Sequence, residues 1–275
     1  MALKLMYITK DPKIAVIAQN AGVDRIFVDM EYIGKDIRQK GLDSVKNHHT
    51  LDDVRSIRKV IDRSELLVRI NPIHEMTPEY SSSTEEIEDT IKAGADIIML
   101  PYFKTSDEVK HFIGCVNGRC RTMLLLETPE AVDNLYEILE VQGIDEIHIG
   151  LNDLSLGYHK KFMFELLCDG TVERICKKLA TTDMLYGFGG IASLGKGALP
   201  AEYIIREHYR LGSSMTILSR SFLNTEKETD LVYIESFFNS EVRKIRVFED
   251  SLAGYHDYDA NLEELKEKVR IIVGG

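Results

Sequence analysis

Short apolar runs alternate along this chain with stretches in which apolar residues return every three or four positions. The runs are Leu3–Thr9, Arg25–Asp29, Leu66–Ile70, Asp96–Leu100, Met123–Leu126, Ile147–Leu151, Leu185–Phe188 and Met215–Leu218. Each is too short for a helix and ends in polar or turn-forming residues, which predicts buried parallel strands. The stretches between them predict helices. Ile14–Ala21 stops at Gly22. Thr50 caps a helix with Asp53 on the capping-box pattern and Val54, Ile57 and Ile61 on one face. Further helices start at Ser83 or Thr84, at Ser106, and around Ala131, Leu135, Ile138 and Leu139. Two more span Thr171–Thr181 and, after Pro200, Ala201–Leu211. Eight strands alternating with helices suit an α/β chain closed into a (β/α)8 barrel, with an open doubly wound sheet as the competing arrangement. Acids and Arg69 recur just after the second, third, fifth and sixth strands, and only a closed barrel brings all those ends to one mouth.

Past the eighth strand the pattern becomes purely helical. A long helix is expected over 226–250, then a linker, Gly254–Asp259, and a last helix, Leu262–Ile272. The division expected is a barrel domain over 1–252 and a C-terminal helical extension over 253–275. The long helix carries more apolar positions than one barrel face needs, which fits self-association through the C-terminal helices.

Composition narrows the function classes. With 275 residues, 44% hydrophobic and 29% charged, the chain can bury a full globular core. Its net charge of −11 argues against sequence-independent nucleic-acid binding and against docking on anionic lipid. No apolar run approaches the ~20 residues a membrane helix needs. The N-terminus MALKLMYITK lacks the long apolar core of a secretion signal. Cys115, Cys120, Cys168 and Cys176 show neither CxxC nor finger spacing, which fits reduced thiols in a cytoplasmic protein.

The candidate chemistry lies at the strand ends. The fifth and sixth strands run into Glu127-Thr128-Pro129 and Asn152-Asp153-Leu154-Ser155, so two acids sit one strand–helix repeat apart, at the same end of neighbouring strands. Together they can hold a hard divalent cation. On spacing alone, the commoner uses are Glu127 as a helix cap and Asp153 as a turn residue, since acids are frequent at helix starts. Arg69 ends an otherwise apolar strand, where a guanidinium needs an anion: a substrate carboxylate, a developing oxyanion, or a buried acid such as Glu31. Backbone N–H groups of Gly150–Asp153 can form an anion nest. A metal, an arginine and a nest together suit a 2-oxo acid such as pyruvate, with the cation supporting an enolate. Gly189–Gly197 (GGIASLGKG) lacks P-loop spacing and reads as a flexible gate, with a phosphate cradle as the alternative. Arg220 follows the last strand.

The segments VDME (28–31), LVRIN (67–71), AGADIIMLPYFKTSDEV (93–109), LLLET (124–128) and GIDEIHIGLNDLSLG (143–157) resemble the HpcH/HpaI aldolase/citrate lyase family of the phosphoenolpyruvate/pyruvate superfamily. The match is good over roughly residues 20–160. It implies a TIM barrel with extra C-terminal helices and a metal-dependent carbon–carbon lyase acting on pyruvate or a 2-oxo acid, with an aldehyde as partner. It assigns Glu127 and Asp153 to the metal, Mg2+ first and Mn2+ or Co2+ as alternatives. Arg69 would contact the pyruvate or enolate oxygen, with Gly150, Asn152 and Asp153 holding substrate. A homo-oligomer is implied as well. One departure stands out: the aldolases of this family usually carry Glu-His after the second strand, and here the pair is Glu31-Tyr32. His48 and His49 lie in the same loop, so Arg69, Glu31 and His49 form the expected catalytic set, with Tyr32 or a metal-bound water as other proton carriers. The alternatives are a CoA-thioester lyase of the malyl-CoA type and a degenerate barrel that binds a metabolite without turning it over.

Overall fold

The computed structural model describes residues 2–34 and 49–274; His48 and the rest of 35–48 lie outside the described residues. The strands are β1 (Lys4–Ile8), β2 (Arg25–Asp29), β3 (Glu65–Arg69), β4 (Ile97–Leu100), β5 (Arg121–Leu126), β6 (Glu146–Ile149), β7 (Leu185–Ile191) and β8 (Met215–Leu218). Each pairs in parallel with the next, and β8 pairs with β1, so the sheet closes into a barrel in sequence order. The open-sheet alternative is excluded. Helices follow the strands as the periodicity requires. Thr50 with Asp53, Ser82 with Glu85 and Thr105 with Glu108 all form complete capping boxes.

The strands face two ways. Outward residues such as Ile26, Val28, Leu66 and Val68 are fully buried under the helices, each stabilising the fold by about 1.5–3 kcal/mol. The inward residues stack in layers. On β2 they are Arg25, Phe27 and Asp29; on β3 they are Glu65, Leu67 and Arg69. The register sets Arg25 opposite Glu65, Phe27 opposite Leu67 and Asp29 opposite Arg69. Opposite charges therefore meet at both ends of the strand pair, with an apolar plug between them. That plug continues around the barrel through Met6, Ile97, Met99, Met123, Leu125 and Met215. Below it, Arg25 donates to both oxygens of Glu146 (2.6 and 2.7 Å) and to Glu65 (2.8 Å), and Arg121 also meets Glu65.

Three expected elements differ. β7 runs on to Ile191, so Gly189 and Gly190 belong to a strand with an irregular register rather than to a gate. β6 ends at Ile149, and Leu151–Gly157 is a short helix rather than a turn. The long C-terminal helix starts at Leu231, where Asp230 accepts from the Val232 and Tyr233 N–H groups; residues 226–230 precede it. Its buried face includes Ile234, Phe238, Val242 and Ile245, and it packs on helix Pro12–Asn20. The last helix, Tyr258–Gly274, lies on helices Ala201–Arg210 and Glu165–Cys168. Val232, Tyr233, Val247 and Ile271 remain exposed on these terminal helices.

Candidate active site

A cavity of about 540 Å³ opens where the strands end. Among the residues lining it are Asp29, Glu31, Arg69, Glu127, Gly150, Asn152 and Asp153. The structure therefore collects nearly every residue expected at the mouth.

Arg69 is fixed before any substrate arrives. Its Nε and Nη2 donate to the two oxygens of Asp29 (2.8 and 2.7 Å), a fork-on-fork pair, and its Nη1 lies 3.3 Å from Glu31. The buried-acid reading of Arg69 is met in Glu31, and the sequence reading missed that Asp29 binds it more closely. Burial by itself would lower the Arg69 pKa, but Asp29 and Glu31 beside it raise it well above its ordinary value. The guanidinium stays charged at every working pH, and its orientation is set by the wall.

Glu127 is held by two backbone features. Tyr102 adopts φ 51°, a left-handed conformation unusual for an aromatic residue, and its N–H donates to Glu127 Oε1 (3.1 Å). On the other side, a Cβ built at Gly150 would lie 2.8 Å from both the Cβ and Oε2 of Glu127. A glycine is needed there so that β6 can pass the carboxylate. The role of helix cap falls instead to Thr128, whose hydroxyl accepts from Ala131 N–H with Pro129 opening the helix. Glu127 is therefore released from that competing use. Asp153 sits in the first turn of helix Leu151–Gly157, and its Oδ1 accepts from Asn152 Nδ2 (3.0 Å).

The residues expected to move protons are placed differently. His49 is buried behind β2, and its Nδ1 accepts from the Asp29 N–H (3.0 Å). It is not among the described residues lining the cavity, and the contact seen positions Asp29. Tyr32 packs on Tyr80 with ring centroids 5.1 Å apart, and its N–H, with that of Ile33, donates to Asn71 Oδ1. Asn71 in turn donates to Glu86 (2.8 Å), which anchors the chain as it leaves β2. At the far rim Arg220 is exposed. The sequence reading passed over His148, an inward residue of β6 on the cavity wall; its only signal was a polar side chain in an apolar run, two positions after Glu146.

The donor set suits a divalent cation. Five carboxylates, Asp29, Glu31, Glu127, Asp153 and Glu226, line the same cavity as Arg69. Asp29 and Glu31 are engaged by that arginine; Glu127 and Asp153, which follow neighbouring strands, could hold a cation between them. Among the described residues no group of three or more His, Cys, Asp or Glu side chains is arranged to hold a metal ion. Two carboxylates with water and substrate oxygens match the habit of Mg2+.

A closed (β/α)8 barrel with an arginine and paired carboxylates at its C-terminal mouth defines a protein of the enzyme-bearing barrel class. The chain belongs to the HpcH/HpaI aldolase/citrate lyase family, whose model matches residues 4–176. Solved structures agree on the fold. An HpcH/HpaI aldolase/citrate lyase family protein from Burkholderia cenocepacia J2315 superposes with a TM-score of 0.61 at 15% identity, covering 85% of this chain and 95% of its own. An HpcH/HpaI aldolase from Desulfitobacterium hafniense DCB-2 gives 0.60 at 15% identity, covering 93% and 95%. Citrate synthase SbnG gives 0.58 at 16% identity, covering 90% and 95%. No curated protein matches the chain by sequence. No helix among the described residues is long and apolar enough to cross a membrane.

Proposed function

We propose that this chain is a divalent-metal-dependent carbon–carbon lyase that acts on pyruvate, or on a 2-oxo acid that yields it, through an enolate. The observation that carries the reading is the pre-set Arg69 sharing one cavity with Glu127 and Asp153. Glu127 and Asp153 would hold the ion. When bound, a divalent cation supplies Lewis-acid polarisation of the 2-oxo acid. The chain's own groups do the rest. Arg69 keeps N–H donors beyond the two given to Asp29 and offers them to the oxygen on which negative charge develops. Its fixed orientation removes reorganisation from the reacting step. The Asn152 and Asp153 N–H groups, in the first turn of their helix, meet the substrate carboxylate. Phe27, Met99 and Leu125 give the cavity an apolar floor and keep water from the enolate.

The direct test is hydrogen–deuterium exchange at the pyruvate methyl in heavy water, followed by NMR with and without Mg2+, Mn2+ or Co2+. Metal-dependent exchange is expected. A protein that catalyses none with any of the three ions is not an enolate-forming lyase.

Glu127 also provides a test that leaves the charged groups untouched. Gly150→Ala places a methyl group 2.8 Å from its Cβ and Oε2, so the carboxylate must move. Metal affinity measured by calorimetry is expected to fall about 10- to 100-fold, the usual loss when a ligand's support is disturbed. Unchanged affinity would remove Glu127 from the metal site.

A further inference from the structure

The loop between β3 and helix Ser83–Lys92 turns around one half-buried side chain. His74 Nδ1 lies 2.7 Å from the Pro72 carbonyl oxygen, and its Nε2 lies 2.8 Å from the Ser81 carbonyl oxygen. Carbonyl oxygens only accept, so both ring nitrogens must donate. A neutral imidazole has a single N–H. In either neutral tautomer a nitrogen lone pair faces a carbonyl oxygen at hydrogen-bond distance. A donor at Ser83 Oγ, 3.0 Å from Nδ1, satisfies a bare Nδ1 but leaves the Pro72 oxygen facing the same lone pair. The loop as folded therefore holds His74 as an imidazolium. Its backbone is tied to the helix: the His74 N–H donates to Ser83 Oγ (2.8 Å), and its carbonyl accepts from the Ser83 N–H (3.2 Å).

That charge acts on a carboxylate that serves the mouth. Glu86, on the same helix, is only 9% exposed. Burial pushes its pKa up, and Asn71 and His74 work against that rise by favouring the carboxylate. Glu86 accepts from the Asn71 N–H and from Asn71 Nδ2. Asn71 Oδ1 is thereby turned to accept the Tyr32 and Ile33 N–H groups, both at 2.9 Å. Tyr80, on the same loop as His74, packs on Tyr32. Glu31, one residue earlier, stands 3.3 Å from Arg69. The remaining charged groups of the loop and the helix start, Glu75, Glu79 and Glu85, are exposed. Burial, then Glu86 and Tyr80, raise the Tyr32 pKa, so its hydroxyl keeps its proton. We propose that His74 is a pH-sensitive positioning residue: as an imidazolium it closes the 72–82 loop and keeps Glu86 ionised beneath Asn71, which holds Glu31 against Arg69, and loss of one ring proton releases that arrangement. The activity part of the test rests on the lyase reading above; the part read by NMR does not.

The test titrates the 15N-labelled full chain from about pH 5 to about pH 8, the range in which histidine changes charge. At the acid end both His74 ring nitrogens are expected to carry protons. As His74 titrates, the Tyr32 and Ile33 amide signals should move with the same midpoint. Their protection against hydrogen exchange should fall about 5- to 10-fold, the worth of one net hydrogen bond. With Mg2+ present, kcat for pyruvate methyl exchange should fall across that midpoint by a similar factor. His74→Gln, with one donor group and no charge, is expected to keep the weakly protected state over the whole range and to flatten that limb of the kcat profile. His74→Arg, always charged and with donors for both carbonyls, should keep the protected state throughout. A His74 ring that does not titrate in this range overturns the inference. So do Tyr32 and Ile33 signals that stay in place while His74 titrates, or that titrate unchanged in His74→Gln. Amide signals that follow His74 while kcat stays flat overturn its role in positioning Glu31. Absence of any metal-dependent exchange overturns the lyase reading alone, and the amide signals then decide for or against His74.

Discussion

Glu146→Ala is expected to destabilise the barrel by about 3–5 kcal/mol, the range for removing one partner of a buried ion pair. The Arg25 side chain is fully buried, and Glu146 takes hydrogen bonds from its Nη1 and Nη2. Burial opposes the charge on Arg25, yet Glu146 and then Glu65 hold its pKa above the ordinary value. Without Glu146 the guanidinium keeps only Glu65 through Nε, and Glu65 is a third exposed. The Arg25 side chain itself is 0% exposed, so water does not replace the lost bonds at its guanidinium. Arg25→Met combined with Glu146→Leu should recover most of the loss or exceed the wild type, because an apolar pair of similar volume carries no desolvation cost. Denaturant midpoints for the wild type, the two single variants and the double variant measure both effects. A loss below about 1 kcal/mol for Glu146→Ala would mean that Arg25 is well solvated or is satisfied by Glu65 alone. The layer lies below the apolar plug, so metal-dependent exchange in the folded variants should remain close to the wild-type rate.

Arg69→Lys is expected to remove most turnover, on the order of 10²–10³ in rate, with metal affinity changed little. Lysine keeps a charge but has no planar fork, so it cannot bind both oxygens of Asp29 and still present directed donors to the substrate. The variant leaves two acids, Asp29 and Glu31, against a shorter-reaching cation. Asp153→Asn should show the reverse order: metal affinity falls first, and excess metal restores part of the rate. Calorimetry for the metal and NMR exchange rates for the reaction separate the two variants. If Arg69→Lys lost metal and rate together, Arg69 would be holding the carboxylate arrangement rather than acting on the enolate.

Much of this architecture is written locally. The strand–helix alternation follows from hydrophobic period, and the capping boxes at Thr50 and Thr105 follow from residues three positions apart. The convergence of Arg69, Glu127 and Asp153 was also legible, because parallel strands in a closed barrel place their C-terminal ends together and the acids follow consecutive strands. β7 was read too short because Gly189 and Gly190 look like a turn, whereas both are strand residues, Gly189 with φ 52° and Gly190 close against the Ile217 carbonyl oxygen.

What stayed hidden depended on register and on direction. RIFVD and ELLVR each look like a strand with a stray charge at either end. Only their alignment, Arg25 with Glu65 and Asp29 with Arg69, turns four stray charges into two pairs on opposite sides of an apolar plug. Whether Glu127 caps the next helix depended on which oxygen reached the Ala131 N–H, and Thr128 reached it. His49 was legible as a histidine near the mouth, but its direction was not, and the fold turns it to the back of Asp29. His148 was hidden in an apolar run because inward and outward positions differ by a single residue, and sequence alone does not say which face a strand turns to the cavity. The sequence by itself determined the barrel, the order of its strands and the end at which chemistry gathers, since these follow from short-range period and chain connectivity. The tertiary structure decided which charges pair and which histidine meets the cavity, since these depend on cross-strand register and side-chain direction between residues far apart in the chain.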